Sequence, residues 1–178
     1  MAMINLPIGA MDTAPEVVHV DFSQPMPKGN YSVVAFEAEV KRNQKNTTDY
    51  LRVGFKVIAG PYRHKRIART FMLWLPDDLK DPSTGEVDKK REENAKELQK
   101  RHESDIKKFC NQIGVNEMIT DTDELLNKPC VVWVDTKKAG NGYPAKDEIY
   151  GFRSEAPDVS EWTPPAPALA ELDDDVPF

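Results

Sequence analysis

The chain has 178 residues, of which 39% are apolar and 30% charged, enough for one domain with a modest core and a heavily solvated surface. No run approaches the roughly 18 consecutive apolar residues of a membrane helix, residues 1–11 lack the basic start of a secretory signal, and two unpaired cysteines, Cys110 and Cys130, suit a reduced cytoplasmic protein rather than a disulfide scaffold. The net charge of -6 argues against nucleic acid only until its distribution is read: residues 28–75 carry ten Lys/Arg against three acids, while residues 154–178 carry seven acids and no base.

Residues 1–27 hold Pro7, Pro15, Pro25 and Pro27 with no steady apolar period. They read as an extended arm, with a short edge strand around residues 17–22 as an option. Alternation begins after Gly29-Asn30, where Val34, Phe36, Ala38 and Val40 share one phase of a first strand. In a second strand Leu51, Val53, Phe55 and Val57 point one way and Tyr50, Arg52 and Lys56 the other. Gly60-Pro61 turns the chain into a third strand over roughly 65–75, whose phase is ambiguous between Ile67/Phe71/Leu73 and Ala68/Met72/Trp74.

A polar loop over 77–88 leads to Ala95, Leu98, His102, Ile106, Phe109 and Ile113, whose steps of three and four mark an amphipathic helix ended by Gly114. A fourth strand over 130–136 and a fifth over 148–153 flank a loop in which Asn141-Gly142 is a hairpin signal. Three strands, a helix and two strands is the order of the OB-fold, a five-stranded Greek-key barrel. A split α+β sheet is the alternative. The expected organisation is an arm (1–27), an OB domain (28–153) and a disordered acidic tail (154–178), since a Pro-, Ala- and acid-rich segment buries too little apolar surface to order itself.

No Gly-rich phosphate loop, zinc-type Cys/His spacing or nucleophile elbow is present, so neither an enzyme nor a metal or other cofactor is expected. His102 falls in the apolar phase of the helix and reads as a packed structural histidine. The basic residues carry more. Lys41, Arg42 and Lys45 fall between strands one and two; Arg52 and Lys56 share the outward face of strand two with Tyr50. Tyr62, Arg63, Lys65, Arg66 and Arg69 lead into strand three, and Lys137, Lys138, Tyr143 and Lys146 lie between strands four and five. In an OB-fold these two loops flank the strand two–three face where oligonucleotides lie. Cations interleaved with aromatics suit single-strand binding, phosphates on the cations and bases on the rings. Taken singly, each Lys reads as an ordinary solvated edge charge. Phe36, Phe55 and Phe109 read as core; Trp74 and Trp133 stand between core and stacking platform.

The chain closes on Asp173-Asp174-Asp175-Val176-Pro177-Phe178, an acidic run before an aromatic ring, suited to a basic partner pocket. This run resembles the partner-binding tip of bacterial single-stranded-DNA-binding proteins. Tyr31-Ser-Val-Val-Ala-Phe-Glu-Ala-Glu-Val-Lys41, Tyr50-Leu-Arg-Val-Gly-Phe-Lys-Val-Ile-Ala-Gly60 and Asp123-Glu-Leu-Leu-Asn-Lys-Pro129 resemble a bacteriophage family of OB-fold single-stranded-DNA-binding proteins, long filed as a domain of unknown function. The likeness covers residues 28–153. It implies a non-enzymatic phage replication or recombination protein in the host cytoplasm that coats single strands, with a tail docking on replication and recombination proteins. A homo-oligomer is compatible with this reading. The rivals are a recombination accessory with secondary DNA contact and an RNA-binding OB protein.

Overall fold

A computed structural model of the chain describes residues 20–43, 48–80, 84–115, 119, 121–140 and 144–165. Strands β1 (Gly29–Arg42), β2 (Asp49–Val57), β3 (Arg66–Met72), β4 (Pro129–Lys137) and β5 (Lys146–Arg153) form one antiparallel sheet in the order β3-β2-β1-β4-β5, with a single helix, α1 (Lys89–Gln112), among the described residues. No helix among them is long and apolar enough to cross a membrane.

The second strand follows its sequence pattern: Leu51, Val53, Phe55 and Val57 are buried in the core. The first does not. β1 carries one extra residue, Phe36, between the pairs Ala35–Phe55 and Glu37–Gly54. Such a bulge breaks the period of two, so Val33 and Ala35 point inward before it and Ala38 packs against the core after it. Phe36, expected in the core, stands on the outer face at 36% exposure. In β3 the Ile67/Phe71 phase is the buried one, so Ala68 and Met72 face outward and Trp74 lies past the strand at 65% exposure.

The ladder ends at β3 and β5, and α1 packs against both strands. Asp88 caps the helix by accepting the Arg91 N–H at 3.0 Å. At its other end Gly114, with φ 73°, lets the Val115 N–H reach the Cys110 carbonyl at 2.9 Å. The helix sets Phe109 against Phe55 (5.4 Å between centroids) and Phe152 (5.0 Å), joining the middle of the sheet to β5. The motif at 123–129 also has a structural account. Asp121 and Glu124 form a capping box on a 3₁₀ turn, Leu125 is fully buried, and Asn127 turns with φ 57° to donate to the Ala35 carbonyl at 2.8 Å.

Both ends of the body depart from the expected boundaries. Residues 20–22 form no strand, and the arm enters the core: Met26 is 1% exposed, its N–H donating to Asp147 Oδ1 at 2.6 Å. Residues 154–165 are laid across the outer face of the sheet. Glu155 accepts from Asn30 Nδ2 at 2.9 and 3.1 Å, the Asp158 N–H donates to Ser32 Oγ at 2.8 Å, and Arg63 donates to the Glu161 carbonyl. These bonds hold the chain against the sheet past Ser154 as far as Trp162, although most of the segment's side chains stay exposed.

Candidate functional site

The outer face of β1, β2 and β3 brings together four of the expected binding residues. Tyr50, Arg52 and Lys56 project from β2, and Arg66 projects from β3 opposite Lys56. At the centre lies Phe36. Its ring covers Gly54, where an added Cβ would stand 3.0 Å from Phe36 Cζ. Glycine inside a strong strand therefore serves a close approach here. The Arg66 guanidinium sits 5.1 Å from the Phe36 centroid, a cation–π contact on an exposed ring.

Acids are interleaved with these cations. Arg52 Nη1 lies 3.2 Å from Glu37 and 3.4 Å from Glu39, and Arg42 pairs with Asp49 at 3.1 Å. Lys41, with Arg52 adding to it, holds the Glu39 carboxyl below its ordinary range. Lys56 and Arg66 have no ion-pair partner among the described residues, which leaves them the readiest to take a phosphate.

A second cluster lies on β4 and β5. Trp133 faces outward, with the Arg153 guanidinium 4.9 Å and Lys28 Nζ 5.7 Å from its ring. Lys28 also pairs with Asp135 at 2.8 Å and holds that carboxyl low. Tyr150, the extra residue where the β4–β5 register shifts, is exposed. Lys137, Lys138 and Lys146 are exposed at the end of this hairpin, Lys137 being 3.9 Å from Glu148.

Three expected binding residues are placed elsewhere. Lys65 is buried and pairs with Asp147 at 2.7 Å, the two side chains 9% and 8% exposed. It also donates to the Gln24 carbonyl of the arm. Arg69 points into the seam between β3 and β5, 2.8 Å from Asp105 on α1, and donates to the Ile149 carbonyl. Both share the inward phase of Ile67 and Phe71, and that is why Lys65 is buried and Arg69 is largely covered, at 13% side-chain exposure. Tyr62 packs its ring edge-on against Tyr31, with centroids 6.0 Å apart, rather than facing outward. Lys45, Tyr143, the Asn141-Gly142 turn and Asp173, Asp174, Asp175, Val176, Pro177 and Phe178 lie outside the described residues.

Sequence reasoning missed Phe36, Lys28, Arg153 and Trp162 as members of this face. Gly54 was the available signal for Phe36, because an isolated glycine in a strand pattern marks a bulge or close approach.

The family model described as Protein of unknown function (DUF669) matches residues 16–164, and the chain belongs to that family. The match includes the arm that holds Met26 and the strap that crosses β1. None of the curated proteins matches the chain.

Proposed function

We propose that this member of the DUF669 family binds single-stranded DNA without strong sequence preference, as a non-enzymatic phage replication or recombination protein of the host cytoplasm. The observation that carries the reading is the exposed Phe36 ring on the sheet face, with Arg66 against it and Lys56 beside it. Rings of this kind accept the face of any base, and flanking cations follow the phosphates, so affinity does not require reading base edges. Trp133 with Arg153 and Lys28 repeats the combination on the same sheet.

The same proposal takes the sheet as an OB-type barrel. In support, the end strands β3 and β5 of the order β3-β2-β1-β4-β5 come into contact, α1 lies between β3 and β4 in sequence, and the Arg69 side chain reaches from β3 to a β5 carbonyl. Residues 173–178 complete it on composition alone, as an acidic aromatic segment for recruiting replication or recombination proteins. The reading is tested by fluorescence anisotropy of labelled oligo-dT, duplex DNA and single-stranded RNA. Tight binding of oligo-dT with weak binding of duplex and RNA is expected. Equal affinity for all three, or none for oligo-dT, overturns it.

A further inference from the structure

Val34 stands in outward register opposite Lys56, where an open sheet would leave it solvated, yet it is 5% exposed. The strap of residues 154–165 runs here. Asp158 bonds to Ser32 two positions away, and the Trp162 N–H donates to the Val159 carbonyl at 3.1 Å, tightening the strap into a turn. Beyond that turn Trp162, half-buried, lines a cleft of about 360 Å³ together with Phe36, Val34, Lys56, Arg63 and His64. Its volume falls within the range of small-molecule clefts, roughly 300–1,000 Å³.

The chemistry of the cleft is mixed in a particular way. Its floor is aliphatic, two aromatic rings line it, and basic side chains share its rim. Arg63 is engaged by the strap itself, through the Glu161 carbonyl and a carboxylate 3.9 Å away. Both partners of that ion pair are exposed, and a long, solvated pair holds weakly, so a phosphate can displace the carboxylate at Nη1 while Nη2 stays on the strap carbonyl.

We infer that this cleft is a nucleotide subsite. One base of a bound single strand stacks on Trp162 and Phe36, and Lys56 and Arg63 take the adjoining phosphates. The strap is then one wall of the binding site, not the start of a tail. A paired base buries its faces in the helical stack and cannot enter, so the subsite favours single strands over duplex. This inference rests on the single-strand reading above and names the residue from outside the five strands that completes it.

The test uses the full chain with Trp74→Phe and Trp133→Phe, which leaves Trp162 as the sole tryptophan of the original three. Labelled oligo-dT is titrated while its anisotropy and the Trp162 emission are followed together. Saturating quenching in step with the anisotropy is expected. Trp162→Ala should weaken binding roughly 5- to 150-fold, the span of one lost base–aromatic stack, and Trp162→Phe should recover most of it. Anisotropy that rises while Trp162 emission stays constant overturns the subsite and leaves the single-strand reading standing. Anisotropy that does not rise even with the parent chain, which keeps Trp74 and Trp133, overturns both; the Trp162→Ala loss is read in the parent chain as well.

Discussion

Lys56 and Arg66 face each other across β2 and β3, while Lys65 and Arg69 flank them in the same stretch of chain and end in the opposite environment. The outward pair meets solvent, Phe36 and no acid partner among the described residues. The inward pair meets Asp147 and Asp105 in the seam between the sheet's end strands. A side-chain period of two decides the matter, since residues 65, 67, 69 and 71 share one side. An interior strand fills its inward positions with apolar residues. β3 is an end strand, and its inward cations find acids on β5 and α1 while blunting edge pairing with other chains. Basic residues are therefore not one population. A cation neutralised by a buried carboxylate belongs to the fold, and its charge is already spent when a phosphate arrives.

The largest effect that can break this comparison is on stability. Arg69→Ala strands Asp105 in the seam, and Lys65→Ala strands Asp147; each should cost about 3–5 kcal/mol, the usual consequence of leaving one buried charge unpaired. The urea midpoint reads it directly. Arg66→Ala, on the exposed face, should stay within about 0.5 kcal/mol. Removing both partners, as Arg69→Met with Asp105→Leu, should recover most of the loss. Arg69 Nε is already buried without a hydrogen-bond partner, so the native pair is imperfectly satisfied. An Arg69→Ala protein with an unchanged midpoint and reduced oligo-dT affinity would invert the assignment.

The next effect is on affinity. Phe36→Ala should weaken oligo-dT by about 1–3 kcal/mol, as loss of a stacking ring does, with little change in stability because the ring is outside the core. Gly54→Ala pushes a methyl to 3.0 Å from Phe36 Cζ and should lower affinity in the same direction by tilting the ring. A stability loss without an affinity loss in Phe36→Ala would make the ring a packing residue. Smaller again is the salt dependence. Replacing Lys56 or Arg66 by Gln should make the slope of log K against log salt shallower by about 0.7 per lost phosphate contact. Arg52→Gln should move it less, because Glu37 and Glu39 already share that guanidinium.

The parts legible in the sequence were those in which one regular period ran uninterrupted. β2 alternates cleanly over Leu51 to Val57 and is legible down to its faces. α1 is legible as a helix with Ala95 and Phe109 buried, but Leu98, expected on the packed face, is 37% exposed, and Asp105 and Cys110 are buried beside that face. β1 failed because a single inserted residue at Phe36 exchanges the two faces midway, and period counting averages over the exchange. β3 was left ambiguous for a physical reason: its inward side carries Lys65 and Arg69, so both phases look half polar. The arm and the strap were undervalued because each contributes one anchor rather than a pattern. Met26 and Trp162 have no periodic neighbours, and only the tertiary partners Asp147 and Ser32 show that their segments are held.

The smallest effect sharpens the comparison by giving the seam a pH response that the outer face lacks. His102 Nδ1 accepts the Met72 backbone N–H at 2.8 Å, and its ring meets Phe71 edge-on at 6.2 Å. Burial foremost, with the nearby Arg69 charge adding and Asp105 opposing, depresses its pKa below the ordinary 6.5. Protonating Nδ1 would also turn the acceptor for Met72 into a donor facing a donor. The unfolded chain then takes up the proton before the folded one does, so stability rises with pH through this interval. The contribution is complete above 6.5, declines as the pH falls below 6.5 toward the lower folded value, and is constant beneath that. Urea midpoints between about pH 7.5 and 5.5, spanning the unperturbed histidine pKa, should fall for the parent chain. They should fall less for His102→Gln, whose side-chain carbonyl keeps an acceptor for Met72 without a titrating ring. Oligo-dT affinity at fixed salt should not follow this dependence, because His102 sits in the seam against the Met72 N–H and Phe71 and not on the outer face. Parallel stability curves for the two proteins would remove His102 from the seam's pH response and leave the difference between seam and face resting on the buried ion pairs alone.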